Sequence, residues 1–137
     1  MPKLEDLKKP QKLTVTHAAD ATFTAEGARK TSLYRDLQLT DATHGAVKAH
    51  IIKNVGHFDP NGANATEHAH ICDFHFFYML KGWIKLRIDG KEVTVREGSS
   101  VMMPGGTYHA VLDYSDDREL LEIFMPSDFG TVDKPAA

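Results

Sequence analysis

Apolar residues along this chain come in short runs of four to eight, separated by Gly, Pro, Asp and Asn, and no long amphipathic helical pattern follows residue 35. Residues 47–54 alternate Val47, Ala49 and Ile51 against Lys48, His50 and Ile52, a period of two that predicts a strand. Residues 59–65, DPNGANA, read as a turn-rich loop. Residues 83–96 predict a hairpin: Ile84, Leu86 and Ile88 alternate with Lys85 and Arg87, Asp89–Gly90 is a favoured two-residue turn, and the chain returns through residues 92–96. Closing that turn sets Leu86 opposite Val93 and Ile84 opposite Val95 on one side, and Arg87 opposite Glu92 on the other. Residues 97–117 give a second strand–turn–strand passage, and ELLEIFM before Pro126 gives a final strand. Many short strands punctuated this way predict an all-β sandwich or barrel.

The densest stretch is TEHAHICDFHFFYML, residues 66–80. His75, Phe77 and Met79 share one strand parity with Asp73, while Phe74, Phe76, Tyr78 and Leu80 share the other. Both rows are too apolar for a solvated face, so the outer row needs a cover: another sheet, the amino-terminal region or a second copy of the chain. That pattern raises the expectation of a homodimer. The ends are different in character. Residues 1–22 are polar and interrupted by Pro2 and Pro10, predicting an extended arm with at most a helical turn near residues 4–9. Residues 127–137 read as a tail, which leaves residues 23–126 as one domain.

With 137 residues, 42% of them hydrophobic, the chain is long enough for one sizeable core. A net charge of -3, from 16 basic and 19 acidic residues, offers no footprint for a phosphate backbone, so nucleic acid is not an expected partner. The charged amino end MPKLEDLKKPQKL has neither a signal-peptide core nor a membrane span, and the default expectation is a cytoplasmic protein with no membrane partner. The single cysteine, Cys72, rules out an intramolecular disulfide; a buried inert thiol is its simplest role, with ligation left open.

The candidate chemistry lies in the histidines. On a strand, His68 and His70 point to the same side, roughly 6.5 Å apart along the chain, close enough to converge on one ion. His75 follows after Cys72 and Asp73, where the chain has room to turn, and His109 arrives from a separate strand behind Pro104, Gly105 and Gly106. Spacing alone leaves open whether these rings share an ion or only a neighbourhood. His50, Asp73, Tyr108 and Glu122 are possible acid–base groups. Of these, His50 and Glu122 are the candidates kept for a catalytic role, His50 because its strand borders the others and Glu122 because it interrupts an apolar strand.

Two motifs add to this reading. Gly62, His68, His70, His75 and Gly82 follow the order glycine, five residues, H-x-H, a spacer, a fourth ligand position, six residues and glycine. Gly98, Pro104, Gly106, His109 and Asp113 follow the order glycine, five residues, P-x-G, two residues, histidine and three residues to a polar side chain. In both order and spacing the chain resembles a small single-domain member of the cupin superfamily, over a motif core of residues 62–113 and flanking strands from about 45 to 126. The resemblance implies a double-stranded β-helix, or jelly-roll barrel, with a metal ion inside held by His68, His70, His75 and His109. Two positions depart from the family pattern: His75 stands where a glutamate is usual, changing the formal charge of the site by one unit, and Asp113 replaces an asparagine. Imidazole donors favour one divalent transition metal ion, Fe, Ni or Zn, with Mn as a further option. The functions implied are a metal-dependent enzyme acting on a small organic substrate, as a dioxygenase or a non-redox lyase or isomerase, or alternatively a non-catalytic cupin that binds or senses a small molecule.

Overall fold

A computed structural model describes residues 1–7, 9–25, 32–62 and 65–136. Its strands, in chain order, are β1 (Thr24–Ala25), β2 (Ser32–Asp36), β3 (Lys48–Asn54), β4 (His68–Ile71), β5 (Phe74–Lys81) and β6 (Trp83–Ile88). They continue as β7 (Lys91–Arg96), β8 (Ser100–Met102), β9 (His109–Tyr114), β10 (Glu119–Met125) and β11 (Gly130–Asp133). The single α-helical turn among the described residues is α1, Leu39–Ala42. Every pairing is antiparallel, in two sheets ordered β1-β2-β3-β10-β5-β8 and β11-β4-β9-β6-β7. This is a jelly-roll barrel.

The hairpin adopts the register its side chains demand, with Ile84 opposite Val95, Leu86 opposite Val93 and Arg87 opposite Glu92. Asp89 and Gly90 both have positive φ, at 48° and 78°, as a tight turn of this kind requires. The loop expected over residues 59–65 forms turns at its start, with residues 63 and 64 outside the described set.

The chain changes sheets twice beside the histidines. Between β4 and β5, Cys72 and Asp73 make a corner that carries the chain from one sheet to the facing one. Gly105 packs against that corner so closely that a Cβ would collide with the Cys72 carbonyl. Between β5 and β6, Gly82 takes φ +69° at the return crossing, where a Cβ would run into the Ser115 hydroxyl.

Tyr34, Ile52, Phe77, Met79 and Leu120 from the six-stranded sheet meet Ile84, Leu86, Val95, Val111 and Tyr114 from the other. Each such side chain contributes about 1.5–3 kcal/mol on burial. The core fills one end of the barrel and leaves the histidines around a cavity beside it.

At the amino end, the helical turn near residue 4 is a 3-10 turn at Leu4–Asp6. Lys12 N–H donates to the Ala42 carbonyl at 2.9 Å, His44 Nε2 lies 2.8 Å from the Pro10 carbonyl, and Arg35 donates to Thr16 Oγ1 at 3.1 Å. Leu4, Leu7, Leu13 and Val15 stay exposed. At the carboxy end, residues 130–133 of the expected tail form β11, paired with β4 along its whole length, Thr131 opposite His70 and Asp133 opposite His68. The alternating Gly-Thr-Val-Asp segment supplies the edge that β4 otherwise leaves open. No helix is long and apolar enough to cross a membrane among the described residues.

Candidate metal centre

β4 and β9 pair with His68 directly opposite His109, so the two rings stand side by side with centroids 4.4 Å apart. His70, two residues along β4, faces the same way and lies 5.1 Å from both. All three are 5% exposed, and one ring nitrogen from each lies within 4.8 Å of the others. Nitrogens bound to one ion at about 2.1 Å are at most about 4.2 Å apart, so only a small closure separates this arrangement from a bound one.

Which nitrogen each ring can offer is set by what the other nitrogen does. His68 Nδ1 lies 2.7 Å from the Thr66 carbonyl and His109 Nδ1 lies 3.0 Å from the Thr107 carbonyl, each reaching two residues back along its own chain. A carbonyl oxygen only accepts, so both Nδ1 atoms carry a proton, and in the neutral ring Nε2 is then the nitrogen with the lone pair. His70 Nδ1 is held by Thr131 Oγ1 at 2.9 Å. Burial, aided by the neighbouring His75, pushes His70 down to a pKa of about 3. Burial also lowers His109, to about 4, against the opposing effect of its Thr107 hydrogen bond. Both rings are therefore neutral at pH 7, the form a metal ion requires.

His75 approaches from the facing sheet. Its ring centroid is 5.1 Å from His70 and 6.1 Å from His109, and it lies outside the 4.8 Å set. Rings on opposite sides of one ion have centroids about 6.4 Å apart, so its distance suits a fourth position. Its Nε2 lies 2.7 Å from Glu122 Oε2, and the second oxygen of Glu122 lies 2.7 Å from His50 Nε2. Burial alone would raise the Glu122 pKa, but hydrogen bonds from His50 and His75 outweigh it and hold the carboxyl well below the usual range. On its flat side His75 stacks on Phe124 at 4.1 Å, and Phe124 stacks in turn on Phe129 at 3.8 Å.

A cavity of about 60 Å³ opens among these groups, lined by the four histidines and Glu122 at one end and by Ser32, Tyr34 and Arg118 among apolar side chains elsewhere. Arg118 is 3% exposed, donates to Ser32 Oγ at 3.1 Å and stands 3.9 Å from the Tyr114 ring. Cys72 lies outside the histidine cluster at the corner, with its thiol pKa raised by burial. Asp73 and Asp113 are exposed, and neither they nor Tyr108 lines the cavity. The main addition to the residues expected from sequence is Thr131, which lies in the segment read from sequence as tail. Phe129 and the Thr66 and Thr107 carbonyls carry no sequence signal of their own.

A family model described as "Cupin domain" matches residues 54–124, more than half of the chain, and this protein belongs to the cupin family. A search of curated proteins by sequence gave no match. Among solved structures, the chain is similar to the polyketide cyclase RemF from Streptomyces resistomycificus, with a TM-score of 0.67 and 19% identity over 92% of this chain and 88% of that one. It is also similar to Streptomyces PAC13 with uridine, at a TM-score of 0.63 and 10% identity over 88% and 92% of the two chains. KdgF from Halomonas sp. gives 0.61 and 11% over 84% and 94%. At these identities the likeness is one of fold.

Proposed function

We propose that this cupin is a metal-dependent enzyme that binds a small organic substrate in the barrel and acts on it by Lewis-acid, non-redox chemistry of the lyase or isomerase type. The observation that carries the reading is the set of three buried histidines that bring one ring nitrogen each within 4.8 Å of the others, with each Nδ1 hydrogen-bonded to the protein. A divalent ion bound there would polarise a carbonyl or lower the pKa of a bound water. Three neutral imidazoles with an open position are a donor set used by catalytic zinc, whereas two histidines and a carboxylate typify non-haem iron oxygenases. This favours Zn, Ni or Fe acting without redox change over the dioxygenase alternative. His75 is the fourth member of the proposed ligand set. The apolar walls, Phe77, Ile84, Leu86 and Val111 among them, exclude bulk water and give the substrate a dry face. That RemF is a polyketide cyclase and Pac13 a nucleoside dehydratase is in keeping with small-molecule chemistry in such a barrel.

The proposal extends to assembly. Phe74 and Phe76 stack 6.3 Å apart on the outside of the six-stranded sheet, and Tyr78, Leu80 and Met102 are exposed beside them, a patch suited to a homodimer.

Elemental analysis of protein purified without added metal or a metal-binding tag tests the reading, alongside His68→Ala. Near-stoichiometric metal that disappears in the variant supports it. A wild-type site that Fe, Ni, Zn and Mn all fail to load would sink it. For loaded protein, oxygen consumption with a bound substrate would restore the dioxygenase, and ligand binding without turnover would reduce the protein to a binding module.

A further inference from the structure

Glu122 stands on β10, the strand between β3 and β5, with His50 as its register partner on one side and Phe77 on the other. The carboxylate points inward and divides its two oxygens between two histidines, each at 2.7 Å. That length is typical of charge-assisted N–H···O hydrogen bonds. An ionised carboxylate only accepts, so both imidazoles donate and both carry a proton on Nε2. Nδ1 of His50 and Nδ1 of His75 are each buried with no hydrogen-bond partner among the described residues. Of the two, His75 lines the cavity. A buried polar atom left unpaired costs about 1–3 kcal/mol, and an occupant of the cavity would remove that cost.

We propose that Glu122, braced by His50, is a positioning residue that holds His75 in its Nε2–H tautomer, so that His75 offers Nδ1 to a divalent cation as the fourth donor beside Nε2 of His68, His70 and His109. The inference rests on the metal reading above and deepens it. The ring is fixed in two independent directions: Glu122 holds it edge-on, and the Phe124–Phe129 stack holds its plane. Turning the ring to present Nε2 instead would give up the carboxylate. The arrangement also places a negative charge against the ligand rather than in it. His75 and Glu122 together supply the ion with a charge that three neutral imidazoles lack.

Long-range 1H–15N spectra of the histidine rings test this before and after zinc is added, with zinc titrations of wild type, His75→Ala and Glu122→Gln. Metal-free wild type is expected to carry the His75 proton on Nε2. On zinc loading His75 keeps that proton while its Nδ1 resonance moves, and the other three ligands keep theirs on Nδ1. Glu122→Gln is expected to bind zinc about 10–100-fold more weakly, the range found when a group supporting a metal ligand is lost. A His75 proton on Nδ1, or a Nδ1 resonance that zinc leaves unmoved, overturns the proposal, and these wild-type spectra do not depend on either variant folding. Wild-type zinc affinity in a folded Glu122→Gln protein also overturns it. Failure of wild type to bind any of the four metals sinks the metal reading instead, and the metal-free spectrum still judges whether Glu122 sets the tautomer.

Discussion

Two walls of the same cavity hold their histidines by different means. On the β4–β9 wall, His68 and His109 are each oriented by a carbonyl two residues earlier in their own strand approach, and His70 by Thr131 on the neighbouring strand. On the β3–β10–β5 wall, His50, Glu122 and His75 hold one another across residues 72 and 47 positions apart in the chain. The first wall is written largely into local sequence, and burial keeps its His70 and His109 rings neutral. The second is a product of strand order, and it carries the charge of the site. A local brace survives changes elsewhere in the barrel, whereas a mutual one fails as a unit.

The largest expected effect comes from removing a proposed ligand on the first wall. His109→Ala should weaken zinc binding by more than about 100-fold, beyond the loss typical of a supporting residue, as read by competition titration. Wild-type affinity in that variant would remove His109 from the site and with it the contrast. Thr131→Val probes a brace on this wall that a side chain supplies. It should weaken binding by about 10-fold, the low end for a supporting hydrogen bond, less than Glu122→Gln. A larger loss than Glu122→Gln would reverse the ranking of the two walls.

Acid sharpens the comparison next. His70 and His109 have pKa values of about 3 and 4 in the fold, below the ordinary 6.5, so between those limits the unfolded chain takes up protons that the folded chain refuses. Stability of the metal-free protein is therefore fully expressed above pH 6.5 and falls as pH drops toward 4. The Glu122 contribution, from a carboxyl held well below its ordinary range, is lost only at still lower pH. Thermal midpoints measured across pH 3–8 should show the decline beginning near 6.5, and a flat profile down to pH 4 would contradict the buried-neutral first wall. The smallest effect on the cavity is expected from the other face of β5. Phe76→Glu should leave the thermal midpoint within a few degrees and zinc binding unchanged while converting a dimer to a monomer in light scattering. A monomeric wild type would refute the dimer.

Much of the barrel was legible in the chain because strand parity and turn chemistry are local. The register of the Trp83–Arg96 hairpin follows from two side-chain patterns that agree. The common face of His68 and His70 follows from a period of two, and the motif glycine Gly82 marks a place where a side chain would collide. His75 was harder. Parity counted along residues 66–80 loses its meaning at Cys72–Asp73, where the chain leaves one sheet for the other, so its direction of approach depends on a corner that no local rule locates. β11 was read as tail because a four-residue strand has too little apolar content to announce itself before it is paired.

Sequence alone determined that this chain forms a barrel of short antiparallel strands and that its histidines are spaced to meet. Only the tertiary structure decided which partner each histidine nitrogen meets and that Glu122 joins His50 to His75. The reason is physical: a side chain's face is set by its immediate neighbours in the chain, but a buried ring's tautomer is set by whatever acceptor folding brings within hydrogen-bond reach.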